Sequence, residues 1–107
     1  MVELGGGIPA AYATKLLADL GATVGKAAPG RGDGLGAYLD AGKVLLDEPV
    51  DADIVVEDVG PGGLEAIGLT PTGAVVRISP FGQSGPRAGQ PATDLTVQAS
   101  GGWVSNH

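Results

Sequence analysis

The opening two dozen residues constrain the fold more than any other stretch. Met1 to Leu4 has room for only a very short strand, Gly5-Gly6-Gly7 turns the chain, and Ile8-Pro9 opens a helix. Proline suits the first helical position because its missing N–H has no partner there in any case. From Ala10 to Leu20 the pattern is helical. Ala13, Leu16, Leu17 and Leu20 share one face, and Lys15 and Asp19 pair at i,i+4 on the other. Gly21 ends the helix in the usual glycine position, and Ala22-Thr23-Val24 starts a second strand. Strand, glycine-rich turn, helix, glycine, strand is a βαβ unit, which calls for a parallel sheet with a helix packed on it.

The chain downstream adds three more strands. Residues 28–36 read as a mobile loop rich in Gly and Pro, carrying Arg31 and Asp33, and residues 37–41 as one helical turn. Val44-Leu45-Leu46 is a third strand and Asp53-Ile54-Val55-Val56-Glu57 a fourth, with only Asp47 to Ala52 between them. A parallel crossover needs about a dozen residues. The third and fourth strands are therefore antiparallel, or the third lies off the main sheet, or a helix is missing between them. Pro61 to Ile67 is a short helix stopped by Gly68, and Ala74-Val75-Val76-Arg77-Ile78 is a buried strand. The fold expected is α/β: a Rossmann-like, mostly parallel sheet with flanking helices. Strands near residues 1–4, 23–26, 53–57 and 74–79 should share one sheet.

Composition bounds the functions open to such a sheet. The formal charge is −6, so nucleic acid is not an expected partner, because phosphate binding needs a basic face. There are no cysteines and hence no thiolate metal site or disulfide. No apolar run approaches the roughly 18 residues of a membrane span, and no signal-like start is present. A cytoplasmic location is the default. With 107 residues, 20 of them Gly, and 4% aromatics, there is little bulky material for a core. The chain suits a fragment, incomplete as an isolated domain, that finishes its core against further sequence or a partner.

Chemistry is expected at the carboxyl ends of the strands, where open α/β sheets hold their ligands. The fifth strand feeds into Ile78-Ser79-Pro80-Phe81-Gly82-Gln83-Ser84-Gly85-Pro86 and on to Pro91-Ala92-Thr93-Asp94. Gly82 and Gly85 let backbone approach a ligand, and Ser79, Gln83 and Ser84 can donate hydrogen bonds. This loop reads as one wall of a binding site. Gly5-x-Gly7-x-x-Ala10 matches the relaxed dinucleotide fingerprint, but the second strand ends in Lys26-Ala27-Ala28 without the ribose-binding acid. A tight structural turn, a different nucleotide-bearing ligand and an NAD(P) site all stay open. Glu57-Asp58 sits beside a helix start, where capping outweighs catalysis as an explanation. Thr93 or Asp94 has the same capping role available. Lys43 would by default be solvated, Trp103 would pack in a core, and His107 would fray.

Taken together, several segments resemble the family III CoA-transferases, which include formyl-CoA and carnitine CoA-transferases and the related α-methylacyl-CoA racemases. The similarity runs through residues 2–5 and 13–22, Tyr38-Leu39-Asp40-Ala41-Gly42-Lys43, residues 52–62, residues 78–86, and Asp94-Leu95-x-x-Gln98-Ala99-x-Gly101-Gly102. No one segment is diagnostic; five in register are specific.

The resemblance implies a doubly wound large domain in an interlocked homodimer. Residues 1–107 would be the amino-terminal, CoA-binding part of a chain of about four hundred residues. The substrates would be an acyl-CoA and a carboxylic acid, with coenzyme A as substrate and no metal. Gly7, Ile8, Lys43, Asp58, Val59, Phe81 and Gly82 would line the CoA site, with Lys43 near the adenosine phosphates or adenine. Asp94 would support catalysis near the thioester, and the nucleophilic aspartate would lie beyond the Gly101-Gly102 motif, after His107. Asp58 stands where the family has Asn, Val59 where it has Phe, and Ala66 where many members carry a basic residue. The racemases place His before the acid matching Asp94; Thr93 stands there and cannot accept a proton from an α-carbon. A racemase relative, and a non-catalytic NAD(P)- or CoA-binding module, are the alternatives.

Overall fold

The computed structural model describes residues 1–27 and 32–101, with Asp94 described by its backbone alone. Arg31, Gly102, Trp103 and His107 lie outside the described residues. Nine elements follow in order: β1 (Val2–Leu4), α1 (Ile8–Asp19), β2 (Gly25–Lys26), α2 (Gly34–Asp40), β3 (Val44–Leu45), β4 (Ile54–Glu57), α3 (Gly63–Ala66), β5 (Ala74–Arg77) and α4 (Asp94–Ser100). The strands form one five-stranded sheet in the order β3-β2-β1-β4-β5, and every pairing is parallel. This is the strand order of a Rossmann half with two strands beyond the reversal, and the order reverses between β1 and β4.

Of the three arrangements open from sequence, β3 takes the third: no helix stands between it and β4, and it is neither antiparallel to β4 nor off the main sheet. It lies in the sheet, parallel, at the edge beside β2, and β4 pairs on the far side of β1. The link from β3 to β4 needs no helix because both strands are short. Three strand spacings of about 4.8 Å make roughly 14 Å, well within reach of an extended run over residues 46–53. Leu46 crosses beneath β2 at Gly25, where any Cβ would crowd the leucine side chain.

The register divides the sheet into two faces. Val2, Leu4, Val55 and Leu64 form a buried cluster on the face covered by α3, joined by Leu46, Val59, Leu69 and Val75. On the other face lie Glu3, Lys26 and Val56, with α1 packed over β1 and β4, and with α2 packed on α1 and tied to Lys26 through Asp40. α1 turns Ala10, Ala11 and Thr14 inward, so its backbone approaches the sheet closely. Its leucines point away: Leu16 is 45% and Leu20 84% exposed. The apolar periodicity thus marks a helix correctly but not the face it buries here. Lys15 does pair with Asp19, at 2.7 Å, and its ammonium also lies 4.9 Å from the Tyr38 ring centre.

α2 starts three residues earlier than the sequence pattern placed it. Asp33 accepts from the Gly36 N–H at 2.7 Å and so caps it, as a short acid at this position does.

Candidate functional site at the sheet switch point

A cleft of about 800 Å³ opens beyond the carboxyl ends of β1, β4 and β5. It sits where the strand order reverses, because there the loops leaving β1 and β4 diverge to opposite faces. Gly6, Gly7, Ile8 and Pro9, the turn from β1 into α1, form one wall. Asp58, directly after β4, forms the floor between strands, and Ile78, Ser79 and Pro80 continue from β5. Ala92, Thr93 and Val97 close the far side. Thr93 is fixed there as the cap of α4, accepting from the Thr96 N–H at 3.2 Å.

Among the described residues, Asp58 is the one charged residue in this lining. Its Oδ2 accepts the Ala10 N–H at 3.2 Å, which puts a carboxylate at the amino end of α1. Asp58 therefore caps, but it caps the helix 48 residues upstream, while α3 beside it begins at Gly62 in the left-handed region (φ 75°). The first loop is wrapped around this carboxylate. A Cβ at Gly5 would overlap Oδ1 and a Cβ at Gly7 would overlap Oδ2. Gly5 has φ 109° as well, so the position is closed to side chains on two grounds.

Next to it, Glu57 is fully buried on the α3 face, and neither of its oxygens has a hydrogen-bond partner among the described residues. Burial pushes its carboxyl above the ordinary value; Arg77 opposes the shift, and Asp58 and Glu65 add to it.

The residues expected to form a site from sequence separate into two groups. Gly7, Ile8 and Asp58 meet in the cleft. Lys43, Val59, Phe81 and Gly82 do not line it. Val59 packs against the apolar core, and Phe81 lies under the Arg87 guanidinium at 4.0 Å. Gly82, at φ 88°, turns the loop. The Lys43 ammonium points inward, 2.6 Å from Glu3 Oε1 and 2.9 Å from the Ala11 carbonyl. Lys26 joins this cluster through Asp40 at 2.7 Å, and Thr14 donates to Glu3 at 2.7 Å. The cluster pins α1, α2 and the entry to β3 onto the sheet. Asp94 opens α4 beside Thr93.

Ile78, Ser79, Pro80, Ala92 and Thr93 come from the loop read as a wall from sequence, and Val97 is the lining residue that the reading did not mark. The only sequence signal for Val97 was its nearness to the Pro91–Asp94 stretch. Among the described residues no group of three or more His, Cys, Asp or Glu side chains could hold a metal, and no helix is long and apolar enough to cross a membrane.

The model of CoA-transferase family III matches residues 40–107. The chain belongs to the family III CoA-transferases. The match opens at Asp40, inside α2, so this family III chain carries its β1–α1 opening outside the matched region. No curated protein matches it.

Proposed function

We propose that this family III chain forms the CoA-binding part of an enzyme that moves CoA between an acyl-CoA and a carboxylic acid. The observation that carries the reading is the cleft at the switch point, built by the β1, β4 and β5 loops of a chain that belongs to a CoA-using family. Transfer in this family would proceed through attack of a carboxylate on the thioester carbon, giving a mixed anhydride and releasing CoA as thiolate. Asp94 is assigned a supporting role beside the thioester. Thr93, whose hydroxyl serves the α4 amino end, favours transfer over α-proton racemisation, since a threonine does not exchange protons with carbon at neutral pH. The exposed leucines of α1, with Val76 on the outer strand β5, favour an enzyme completed by further sequence or a second subunit.

Calorimetric titration with CoA tests the assignment, using Gly6→Leu as the cleft-filling variant. A Cβ at Gly6 meets nothing within 4 Å, so the substitution leaves the loop backbone without a clash at that atom. The reading predicts CoA binding that Gly6→Leu weakens by about tenfold or more. CoA binding identical in the folded variant places the ligand elsewhere.

A further inference from the structure

The two walls of the cleft are anchored differently. Asp58 and Ile78 stand at strand ends, and the Ile78 N–H bonds back onto the sheet, to the Glu57 carbonyl at 2.9 Å. Ala92, Thr93 and Val97, opposite, belong to the segment that leaves the sheet after that bond. There the backbone bonds turn inward: Ala88 to Gly85, Gln90 to Arg87, Val97 to Thr93 and Gly101 to Val97. Among the described residues α4 packs on no other helix or strand. Gly82 (φ 88°) and Gly85 (φ 103°) stand at the root of the segment, in backbone that other residues rarely adopt. One side chain bridges them. The Arg87 guanidinium lies 4.0 Å from the ring centre of Phe81, which precedes both glycines. Beyond them, Arg87 Nε donates to Gln90 Oε1 at 3.0 Å and Nη2 to Ser100 Oγ at 3.4 Å. Between the glycines, the Gln83 amide is shut from solvent, with neither Nε2 nor Oε1 partnered among the described residues.

We infer that residues 86–101 form a flap on the cleft, hinged at Gly82 and Gly85, and that Arg87 is the positioning residue that latches it. The hinge lies between the two halves of the latch, so rotation at either glycine pulls the guanidinium off the Phe81 ring. The latch is weak by construction. Arg87 is exposed, and there a cation–π contact is worth only about a fewfold in an equilibrium. The unpartnered Gln83 amide opposes the closed form, because opening returns it to water. A weak latch set against an unpaired amide keeps the two forms close in free energy, and a ligand that fills the closed cleft shifts the balance. Resting on the CoA reading for its ligand, the flap brings Ala92, Thr93 and Val97 onto the bound molecule. Arg87 then governs entry and escape without lining the cleft.

Spin-label distances on the full chain test the latch without a ligand. The chain has no cysteine, so Tyr12→Cys on α1 and Leu95→Cys on α4, both at exposed positions, take one label each. With Arg87 in place the distance distribution should have one main population. Arg87→Ala should enlarge a second, longer population by about three- to tenfold, Phe81→Leu should do the same, and the two together should add little. Arg87→Lys keeps a cation for the ring and should fall between. Stopped-flow mixing with CoA reads the gate. Arg87→Ala should raise the association and dissociation rates together, by about threefold or more, and leave the urea midpoint unchanged. A residue that only props the fold would move the midpoint and not both rates. Distances in Arg87→Ala identical to the parent's overturn the inference, and so does a parent distribution as broad as the variant's. If the folded parent binds no CoA, the CoA reading falls, and the distances still decide the flap.

Discussion

The Lys43 ammonium lies 2.6 Å from the Glu3 carboxylate, and each side chain is only 1% exposed. The pair joins β1 to the entry of β3 across 40 residues of sequence. Removing one partner breaks a buried pair, which costs up to about 3–5 kcal/mol; the charge left behind keeps only a longer ion pair, Glu3 with Lys26 at 3.9 Å or Lys43 with Asp40 at 4.0 Å. Lys43→Met and Glu3→Gln should each lower the midpoint of urea unfolding sharply. The double variant should recover part of the loss, because no charge is then stranded. Two small, additive losses would show that the pair is solvated and not structural.

This pair marks the boundary of what the sequence discloses. The apolar runs of β4 and β5, the Pro9 start and Gly21 stop of α1, and the glycine turn all signal locally, and the sheet follows them, except that β5, expected to be buried, is an edge strand with Ala74, Val76 and Arg77 exposed. Lys43 inside the protein, and Asp58 on a helix 48 residues away, are set by tertiary partners that leave no periodic trace. The buried face of α1 was hidden for a related reason. Thr14 and Lys15 are polar by type, but Glu3 supplies a partner for one, and Asp19 and Tyr38 supply partners for the other. Of the site, the Gly7–Ile8 turn, Asp58 and the wall from Ile78–Pro80 and Ala92–Thr93 were legible. The inward turn of Lys43 was not.

Glu57 gives a pH dependence with a definite sign. Its carboxyl titrates above the ordinary 4.5 when folded, so the fold favours the protonated form. That stabilisation is complete below the unfolded value and is lost as pH rises through the folded one. Glu57→Gln, neutral throughout, should be more heat-stable than the parent at pH 7, and the advantage should vanish toward pH 4. An advantage that grows as the pH falls has the opposite sign and contradicts the burial of this carboxylate.

Gly7 and Asp58 should couple. At Gly7 the backbone is extended (φ −88°, ψ 165°), which alanine adopts freely, so only the carboxylate excludes a methyl group. Gly7→Ala should cost about 1–3 kcal/mol in the parent and much less in an Asp58→Ala background. Gly5→Ala should stay costly in both, because its φ of 109° is unfavourable whatever the space. Equal costs for Gly7→Ala in both backgrounds would rule out the wrapped carboxylate.

Residues 1–107 alone should not exchange labelled CoA into an acyl-CoA. The carboxylate lining the cleft, Asp58, is held by the Ala10 N–H and by the loop around it, which suits a fixed anion better than a nucleophile. Exchange above background that disappears in folded Asp58→Asn or Asp94→Asn would place the nucleophile within this chain.

The central claim is that the thioester ligand lies in the cleft at the switch point. Amide NMR of the labelled chain, titrated with CoA, tests it most directly. The account predicts shifts concentrated at Gly6, Gly7, Ile8, Ser79 and Thr93, with the β3 edge at Val44 and Leu45 unmoved. Shifts confined to that edge, or none at saturating CoA, would contradict it.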